Sequence, residues 1–268
     1  MSKKNFWKIQ NNVSNSLIGE LFLYGPIASS NNWDQDVNTP KQFKEDLDKL
    51  GDISELNIYI NSGGGDVFAG QAIHSILKRH SAKKTVYIDG LAASIASVVA
   101  MAGDTIVMPK NAMMMIHKAW TICVGNANDF RKLADDLEKV EETIISAYES
   151  RDLTIARDEI VKLMDAETWL TADEALEYGF IDEVEEEKKV AASIDGGFLV
   201  MNGTKMDLSN YKNKPKFISL NEPNKCDQTK SVSEPKIDDE KVIENEIPLI
   251  YFEKTIEINE KKFKEEEK

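Results

Sequence analysis

The residue whose surroundings most favour nucleophilic chemistry is Ser94. It stands in the segment 90–97, Gly-Leu-Ala-Ala-Ser-Ile-Ala-Ser, whose small side chains would let a substrate backbone come close to its hydroxyl. A serine between a strand and a helix has the arrangement of a nucleophile elbow, although the G-x-S-x-G spacing of that motif is absent. The alternative is that Ser94 only caps the helix that follows, a position that serine favours.

The chain has three histidines that could serve Ser94 as a general base. His117 follows an apolar segment that predicts a strand, and a histidine at the end of a strand can reach a neighbouring site. His80 falls at the end of a predicted helix, where it would interact with the helix dipole and solvent. We place His74 on the surface of the same helix. His117 is therefore the candidate base.

Three consecutive glycines, Gly63, Gly64 and Gly65, could bind an oxyanion. Glycine accepts positive φ and has no side chain to shield its amide, so such a loop can present N–H donors to a developing negative charge. The other interpretations are a phosphate cradle and a plain turn. A phosphate loop would end in Gly-Lys-Ser/Thr, and this segment does not.

The elements that must position these residues alternate along the chain. Strands are predicted at 20–27, 56–60, 85–89, 104–108 and 112–117, with helices at 39–50, after the glycine loop, and at 94–102. Residues 90–93 are predicted to form a turn. Alternating strands and helices favour βαβ units with right-handed crossovers and a largely parallel sheet covered on both faces.

The second half of the sequence begins with a long amphipathic helix. Between 128 and 150 apolar residues recur every three or four positions. A capping box at Thr171 and Glu174 starts a further helix, which Gly179 should end. The folded body should close near Val184, and a hairpin is predicted at 198–206. The lysine- and glutamate-rich remainder, after about Lys212, is expected to be flexible or to depend on a partner.

Composition limits the partners and cofactors. The 268 residues carry a formal net charge of −14, which argues against nucleic acid or an anionic membrane as a partner. Two cysteines, Cys123 and Cys226, lack metal-ligand spacing, so we expect no metal, no organic cofactor and a reduced, cytoplasmic setting. No apolar run reaches 18 residues, so we expect a protein that is neither exported nor membrane-spanning.

Four motifs, in order, resemble the Clp protease proteolytic subunit family. They occupy residues 59–67, 90–97, 115–117 and 172–182, and the resemblance extends over about 18–184. It implies an α/β, crotonase/ClpP-like fold of repeated β-β-α units with a handle helix and a C-terminal extension. It also implies a serine endopeptidase with Ser94 as nucleophile, His117 as base, and the Ile95 amide with that of Gly64 or Gly65 as oxyanion donors.

The third member of the catalytic triad departs from the family's pattern. The family's aspartate precedes an aromatic-Leu-Ser/Thr-Ala segment, here 169–172, and that register falls on Glu167. A glutamate can orient an imidazole as an aspartate does. Asp165 is the competing choice, and the remaining interpretation is that either acid merely ends a helix in water.

The resemblance also suggests a domain organisation and partners. We divide the chain into an N-terminal segment (1–17), a peptidase domain (18–190) and a C-terminal extension (191–268). An insertion at 28–38 and the long extension look more like the phage head-maturation branch, whose members process capsid or scaffold proteins. The implied assembly is a homo-oligomeric ring, a heptamer or a stacked double ring, with polypeptide substrates and either an ATPase unfoldase or capsid proteins as partners.

Three other functions stay open at the level of sequence. A crotonase-type acyl-CoA enzyme shares the fold and a glycine-loop oxyanion hole, but would not need Ser94 and His117 together. A non-catalytic capsid-assembly or scaffold component could keep the fold without the activity. A Ser/Lys dyad would use a lysine in place of His117.

Overall fold

A computed structural model describes residues 6–28, 39–186, 192–195, 198–201, 204–207, 211 and 213. The main sheet has eight strands: β1 Trp7–Asn11, β2 Ile18–Tyr24, β3 Glu55–Ser62, β4 Lys83–Ala93, β5 Thr105–Pro109, β6 Met113–Ile116, β7 Thr168–Leu170 and β8 Glu183–Glu185. The helices are α1 Pro40–Asp48, α2 Val67–Arg79, α3 Ile95–Ala100, α4 Ala127–Glu149, α5 Arg157–Asp165 and α6 Ala172–Glu177. A second sheet contains β9 Ala192–Asp195, β10 Phe198–Met201 and β11 Thr204–Asp207.

The centre of the main sheet is parallel, which confirms the predicted α/β class. Strands β2, β3, β4, β5 and β8 are neighbours in that order and pair in parallel. At one edge β1 pairs antiparallel with β2, so part of the N-terminal segment that the sequence analysis set apart belongs to this sheet. The sequence predicts a sheet covered on both faces, but burial alternates along the first part of β3 and β4. Their apolar residues are buried on one face, and the residues between them are only half-buried.

The turn predicted at 90–93 is wrong, because β4 continues through these residues to Ala93. Its first half pairs with β5 at Thr85–Tyr87, and its last residues pair with β6, from Leu91 with Met113 to Ala93 with Met115. Ala92 and Ala93 are fully buried. The small side chains at this point therefore serve close packing in the interior, and the strand carries the chain directly to Ser94.

Local signals at helix ends are confirmed. Thr39 caps α1 by accepting a hydrogen bond from the Gln42 amide. Thr171 and Glu174 form the predicted capping box of α6, and Gly179 follows that helix with φ +83°. Helix α5, which ends at Asp165, was not predicted.

Two amphipathic helices bury less of their apolar face than the sequence suggests. On α2 the side chain of Phe68 is 70% exposed, and Ile73 and Leu77 are the large residues that enter the core. On α4 only the C-terminal part is buried, including Ile144 and Tyr148, whereas Phe130 near its start is 50% exposed. Within the described part of the chain, the first half of α4 therefore has apolar surface that is not covered.

The second sheet lies in the C-terminal extension. β10 pairs antiparallel with both β9 and β11, and Met201 faces Thr204 in the register of a hairpin with two residues between its strands. Those two residues lie outside the described ones, as does most of the segment predicted to be flexible. Across the described ranges, no helix combines the length and the apolar character that a membrane span requires.

Candidate active site

Ser94 occupies a strained backbone position between β4 and α3. Its φ of 55° and ψ of −130° are unusual for a residue with a side chain. Although Ser94 is at the N-cap of α3, its side chain makes no capping hydrogen bond, so the interpretation of Ser94 as a simple cap is wrong. Its amide instead donates to the Met115 carbonyl at 2.8 Å. Such strain persists only where the surrounding structure holds it, and it is concentrated at functional sites.

The hydroxyl of Ser94 is hydrogen-bonded to His117. The distance from Oγ to Nε2 is 2.7 Å. The sheet produces this contact, because Ala93 at the end of β4 pairs with Met115 of β6, and the next residues of both strands are then adjacent. A serine and an imidazole at this distance form the geometry of an activated nucleophile and its base.

Burial and charge act on His117 in opposite directions. Burial is the larger influence and lowers the pKa of His117 below its ordinary value, while the negative charge of Glu167 raises it. The imidazole is therefore neutral at pH 7. A neutral ring is the form that can accept a proton from Ser94.

Glu167, and not Asp165, is the acid that acts electrostatically on His117. It lies just before β7, which pairs antiparallel with β6 so that Thr168 faces Ile116. This pairing brings the chain at Glu167 to the end of β6, where His117 lies. Among the described residues, the Glu167 carboxylate accepts a hydrogen bond from the Asn213 amide at 2.9 Å, rather than one from His117. Glu167 is also one of two non-glycine residues with positive φ in the described ranges.

Asp165 has a different partner. Its carboxylate lies 2.6 Å from the Nζ atom of Lys118, which is also 3.2 Å from a Glu141 oxygen. These contacts, that with Asp165 foremost, raise the pKa of Lys118. Lys118 is therefore held as a cation, whereas a Ser/Lys dyad requires a neutral lysine. Although Lys118 is adjacent to His117 in the chain, its charged state does not support a Ser/Lys dyad.

Gly64 lies directly against the nucleophile candidate. Its φ is +86°, and a Cβ atom there would stand 2.7 Å from the Ser94 Cβ and 3.1 Å from the Ile95 nitrogen. A larger residue would displace the serine. The Gly64 amide donates to the Ser62 hydroxyl at 3.1 Å. In the described part of the chain, the amides of Gly65 and Ile95 donate to no other protein group, so both are available to a ligand.

The glycine loop is fixed from behind by Ile27. The Ile27 amide donates to the Gly64 carbonyl, and its carbonyl accepts from the Asp66 amide, both at 2.8 Å. A Cβ atom at Gly65 would stand only 2.0 Å from the Ile27 oxygen. The loop therefore has little freedom to move, as an oxyanion hole requires.

A buried pair of hydroxyl groups supports Ser94 from the interior. Ser97 Oγ donates to the Ser94 carbonyl at 2.5 Å and lies 2.8 Å from the hydroxyl of Tyr148, which is 1% exposed. Since Ser97 uses its proton on Ser94, Tyr148 must donate to Ser97. Burial raises the pKa of Tyr148 and keeps it protonated. Sequence reasoning missed this role, because Tyr148 fits the apolar periodicity of α4.

Two residues of the C-terminal extension also reach the site, and the sequence analysis missed both. The Tyr211 ring packs with a small apolar cluster that includes Met115 and Trp169, with its centroid 5.7 Å from that of His117. Its hydroxyl donates to the Gly63 carbonyl at 3.2 Å. Asn213 donates to Glu167, as described above, and through its side chain to the Ala166 carbonyl. No motif marks these positions.

The other two histidines have structural surroundings. The Nδ1 atom of His80 accepts a hydrogen bond from the Ala82 amide at 3.2 Å. His74 is predicted on a helix surface, but its ring is partly buried, and its Nε2 atom is shielded from water without a hydrogen-bond partner among the described residues. Burial lowers the pKa of His74 to about 4, which keeps the ring neutral.

Comparison with known proteins connects this geometry to one family. The sequence profile of the Clp protease family matches residues 27–188, more than half of the chain. The chain is 31% identical over 141 residues to an ATP-dependent Clp protease proteolytic subunit of Deinococcus radiodurans, covering 52% of this chain and 68% of that protein. Subunits of the same name from two other bacteria also match. The chain is 32% identical over 149 residues to that of Porphyromonas gingivalis, covering 53% of this chain and 65% of that protein. It is 34% identical over 144 residues to that of Bacteroides thetaiotaomicron, covering 52% of this chain and 63% of that protein. The matches thus span about two thirds of these relatives' length.

Proposed function

Because this chain belongs to the Clp protease family, we propose that it is a serine endopeptidase with Ser94 as its nucleophile and His117 as its general base. One observation carries the proposal: the 2.7 Å contact between Ser94 Oγ and His117 Nε2. The strained backbone of Ser94 and the neutral state of His117 agree with these roles. We expect it to act in the cytoplasm of a bacterium or of a phage-infected host.

Peptide hydrolysis then proceeds in two halves. Ser94 Oγ attacks the substrate carbonyl while His117 Nε2 takes the hydroxyl proton, and the protonated ring returns that proton to the leaving amine. The acyl group stays on Ser94 as an ester. Water next attacks the ester as His117 takes one of its protons, and the protonated ring returns that proton to Ser94 Oγ, which releases the carboxylic acid and restores the free serine and the neutral base.

Backbone amides would stabilise the charge that forms on the carbonyl oxygen. The Ile95 amide, at the N-terminus of α3, is one donor. The second comes from the glycine loop, either from Gly65, whose amide is unengaged, or from Gly64 if its amide leaves the Ser62 hydroxyl. Loss of one such donor costs on the order of 10²–10³-fold in kcat in serine peptidases.

Glu167 is the proposed third member of the triad. Its charge raises the pKa of His117 and would stabilise the imidazolium that forms when Ser94 attacks. Asp165, the alternative acid, is engaged with Lys118. The Asn213 amide occupies one oxygen of the Glu167 carboxylate, and the second oxygen would be the acceptor for His117.

Exposed apolar side chains support assembly with further copies of the chain. Large apolar residues in and just before α4 are exposed to solvent. The exposed fractions of Trp120, Ile122, Val124 and Phe130 are 53%, 85%, 84% and 50%. Contiguous apolar surface of this kind marks interaction sites. We propose a homo-oligomeric ring, a heptamer or a stacked double ring, in which the first half of α4 meets another subunit.

Phage head maturation is the biological role that we propose within the family. It is supported by the 28–38 insertion and by residues 189–268, which follow the segment that matches the family. Capsid or scaffold polypeptides would be the substrates. The competing role is regulated proteolysis with an ATPase unfoldase. Cleavage of folded capsid precursors in the absence of an ATPase would favour head maturation. An absolute requirement for ATP would favour regulated proteolysis with an unfoldase.

Two alternative functions leave the site geometry unexplained. A scaffold component without activity has no use for the hydrogen bond between Ser94 and His117. A crotonase-type enzyme would use the glycine loop but needs neither side chain. Both predict that replacing Ser94 leaves the protein's function intact.

A serine-reactive fluorophosphonate probe tests the proposal. The assembled full chain is treated beside Ser94→Ala and, as a matched control, Ser75→Ala, which removes an exposed serine of α2. The adduct is located by peptide mass spectrometry. We expect labelling at Ser94 that only Ser94→Ala abolishes. Absence of labelling both in the natural chain and in Tyr211→Ala, which removes the ring beside His117, would contradict the proposal.

A further inference from the structure

Tyr211 and Asn213 contact three parts of the proposed catalytic site: the glycine loop, the base and the acid. Tyr211 donates to the carbonyl of Gly63 in the glycine loop and lies with its ring beside His117. Asn213 donates its amide hydrogen to Glu167. The chain is brought there from β11, which runs next to β3, the strand that leads into the glycine loop. Two residues thus connect the loop, the base and the acid.

These contacts engage groups of the proposed site. Asn213 occupies one oxygen of the Glu167 carboxylate, the group proposed to orient His117. The Tyr211 hydroxyl occupies the Gly63 carbonyl, which belongs to the loop that holds the proposed oxyanion donors. The Tyr211 ring occupies the apolar cluster formed by Met113, Met115 and Trp169, beside the base.

We propose that Tyr211 and Asn213 form an intramolecular cover over the active site, which must move away before a peptide can reach Ser94. The presence of the cover does not depend on the proposed function, but its effect on peptidase activity rests on that function. The cover is a segment of the same chain, so its local concentration is high and a substrate must compete with it. The measured reactivity is then the intrinsic reactivity multiplied by the fraction of uncovered molecules.

The exposure of the cover suits it to displacement. Tyr211 is only partly buried and Asn213 is exposed. Their contacts with the site include hydrogen bonds to the Gly63 and Ala166 carbonyls and to the Glu167 carboxylate, and the packing of the Tyr211 ring beside His117. Any partner that draws the C-terminal extension away would therefore expose the site, and assembly with capsid or scaffold protein would be such an event.

The first test compares rates of fluorophosphonate labelling at Ser94 in full-length variants. Tyr211→Ala removes both ring and hydroxyl, and we expect labelling about tenfold faster than in the natural chain. Tyr211→Phe keeps the ring and loses only the bond to Gly63, so its increase should be smaller. Asn213→Pro removes the amide hydrogen that reaches Glu167. Asn213→Ala keeps that hydrogen and loses only the side-chain bond to the Ala166 carbonyl, so labelling should be faster in Asn213→Pro, and the difference between the two variants measures the bond to Glu167.

The second test measures access without requiring catalysis. In the background Ser94→Cys, iodoacetamide alkylation of the new thiol is followed by peptide mass spectrometry with and without Tyr211→Ala. The exposed Cys123 gives an internal reference rate. We expect Tyr211→Ala to increase alkylation at position 94 severalfold relative to Cys123.

The two tests separate the cover from the proposed function. Equal alkylation rates with and without Tyr211, together with normal Ser94 labelling in the natural chain, would overturn the cover and leave the peptidase intact. Faster alkylation in Tyr211→Ala with no fluorophosphonate labelling of Ser94 in any variant would support the cover and overturn the peptidase.

Discussion

The hydroxyl groups of Ser97 and Tyr148 lie 2.8 Å apart in the protein interior, one helical turn beyond Ser94. The Ser97 hydroxyl, which accepts a hydrogen bond from Tyr148, in turn donates one to the Ser94 carbonyl. A chain of hydrogen bonds thus runs from the buried end of α4 to the main chain of the residue with the strained φ. The helix whose first half is exposed for assembly therefore also supports the nucleophile.

Removing the Tyr148 hydroxyl should affect kcat more than KM. In Tyr148→Phe the Ser97 hydroxyl loses its donor, and Ser94 is held less firmly in its strained conformation. We expect kcat to fall severalfold, KM to change little, and the free energy of unfolding to fall by about 1 kcal/mol. Tyr178→Phe, at the end of α6, is the control. An unchanged kcat in Tyr148→Phe would show that the chain of hydrogen bonds is only structural.

The two candidate acids should differ sharply in mutant kinetics. Glu167→Gln keeps the size of the side chain but removes the charge that stabilises imidazolium, so we expect kcat/KM to fall, by up to about 10⁴-fold. Asp165→Asn should lower it less than about twofold, because Glu141 remains beside Lys118. Steady-state hydrolysis of one peptide by both variants decides between them. The reverse order of effects would assign the triad acid to Asp165.

The pH dependence of kcat/KM should follow His117. Burial lowers the pKa of His117, so the neutral, active form persists below the ordinary histidine value of about 6.5. Activity should be lost only at lower pH, as the ring gains a proton. Because Glu167 raises this pKa, Glu167→Gln should move the acidic limb to still lower pH. A limb that does not move in this variant would place Glu167 outside electrostatic reach of His117.

Two glycines with positive φ provide a matched test of the oxyanion loop. Gly51 has φ +71° and open space where a Cβ would lie, whereas a Cβ at Gly64 would meet Ser94. Gly51→Ala should cost about 1 kcal/mol of stability through backbone strain, with normal activity. Gly64→Ala adds the clash, and we expect it to remove nearly all Ser94 labelling. Equal activity in the two variants would argue against close approach of the loop to Ser94.

His74 should make stability depend on pH. Its folded-state pKa is about 4, below the unfolded value of about 6.5, so the unfolded chain binds the extra proton between these values. The free energy of unfolding should therefore fall as pH falls from 6.5 towards 4. His74→Gln removes this contribution, and urea titrations at pH 7 and pH 5 should show a smaller loss than in the natural chain. An identical loss would mean that His74 does not titrate differently on folding.

Features set by near neighbours could be predicted from the sequence. The cap at Thr39, the capping box at Thr171 and Glu174, and the glycine loop each depend on residues within a few positions of one another. Strands β2 to β6 and most helices follow from the pattern of their apolar residues, whereas the short strands β1, β7 and β8 were not predicted. Ser94 and His117 were chosen from small neighbours, from the number of histidines, and from the resemblance of four motifs to one family.

Where several interpretations fitted locally, only packing decided. The small residues at 90–93 suit a turn or a buried strand, and pairing with β6 made them a strand. The register of the family's pattern favours Glu167 and leaves Asp165 as a competing choice; in the structure the charge of Glu167 acts on His117, whereas Asp165 pairs with Lys118. The apolar pattern of α4 predicted a buried face, but the described residues of this chain bury only its C-terminal half.

The sequence by itself determined the elements and the residue types of the site, because propensity, capping and periodicity act over short distances along the chain. Only the tertiary structure placed Tyr148 against Ser97, 51 residues away, and Tyr211 against Gly63, 148 residues away. No local pattern encodes such contacts, since each arises when separate elements pack and bring their side chains together. The support and the proposed cover of the active site therefore became visible only in the folded chain.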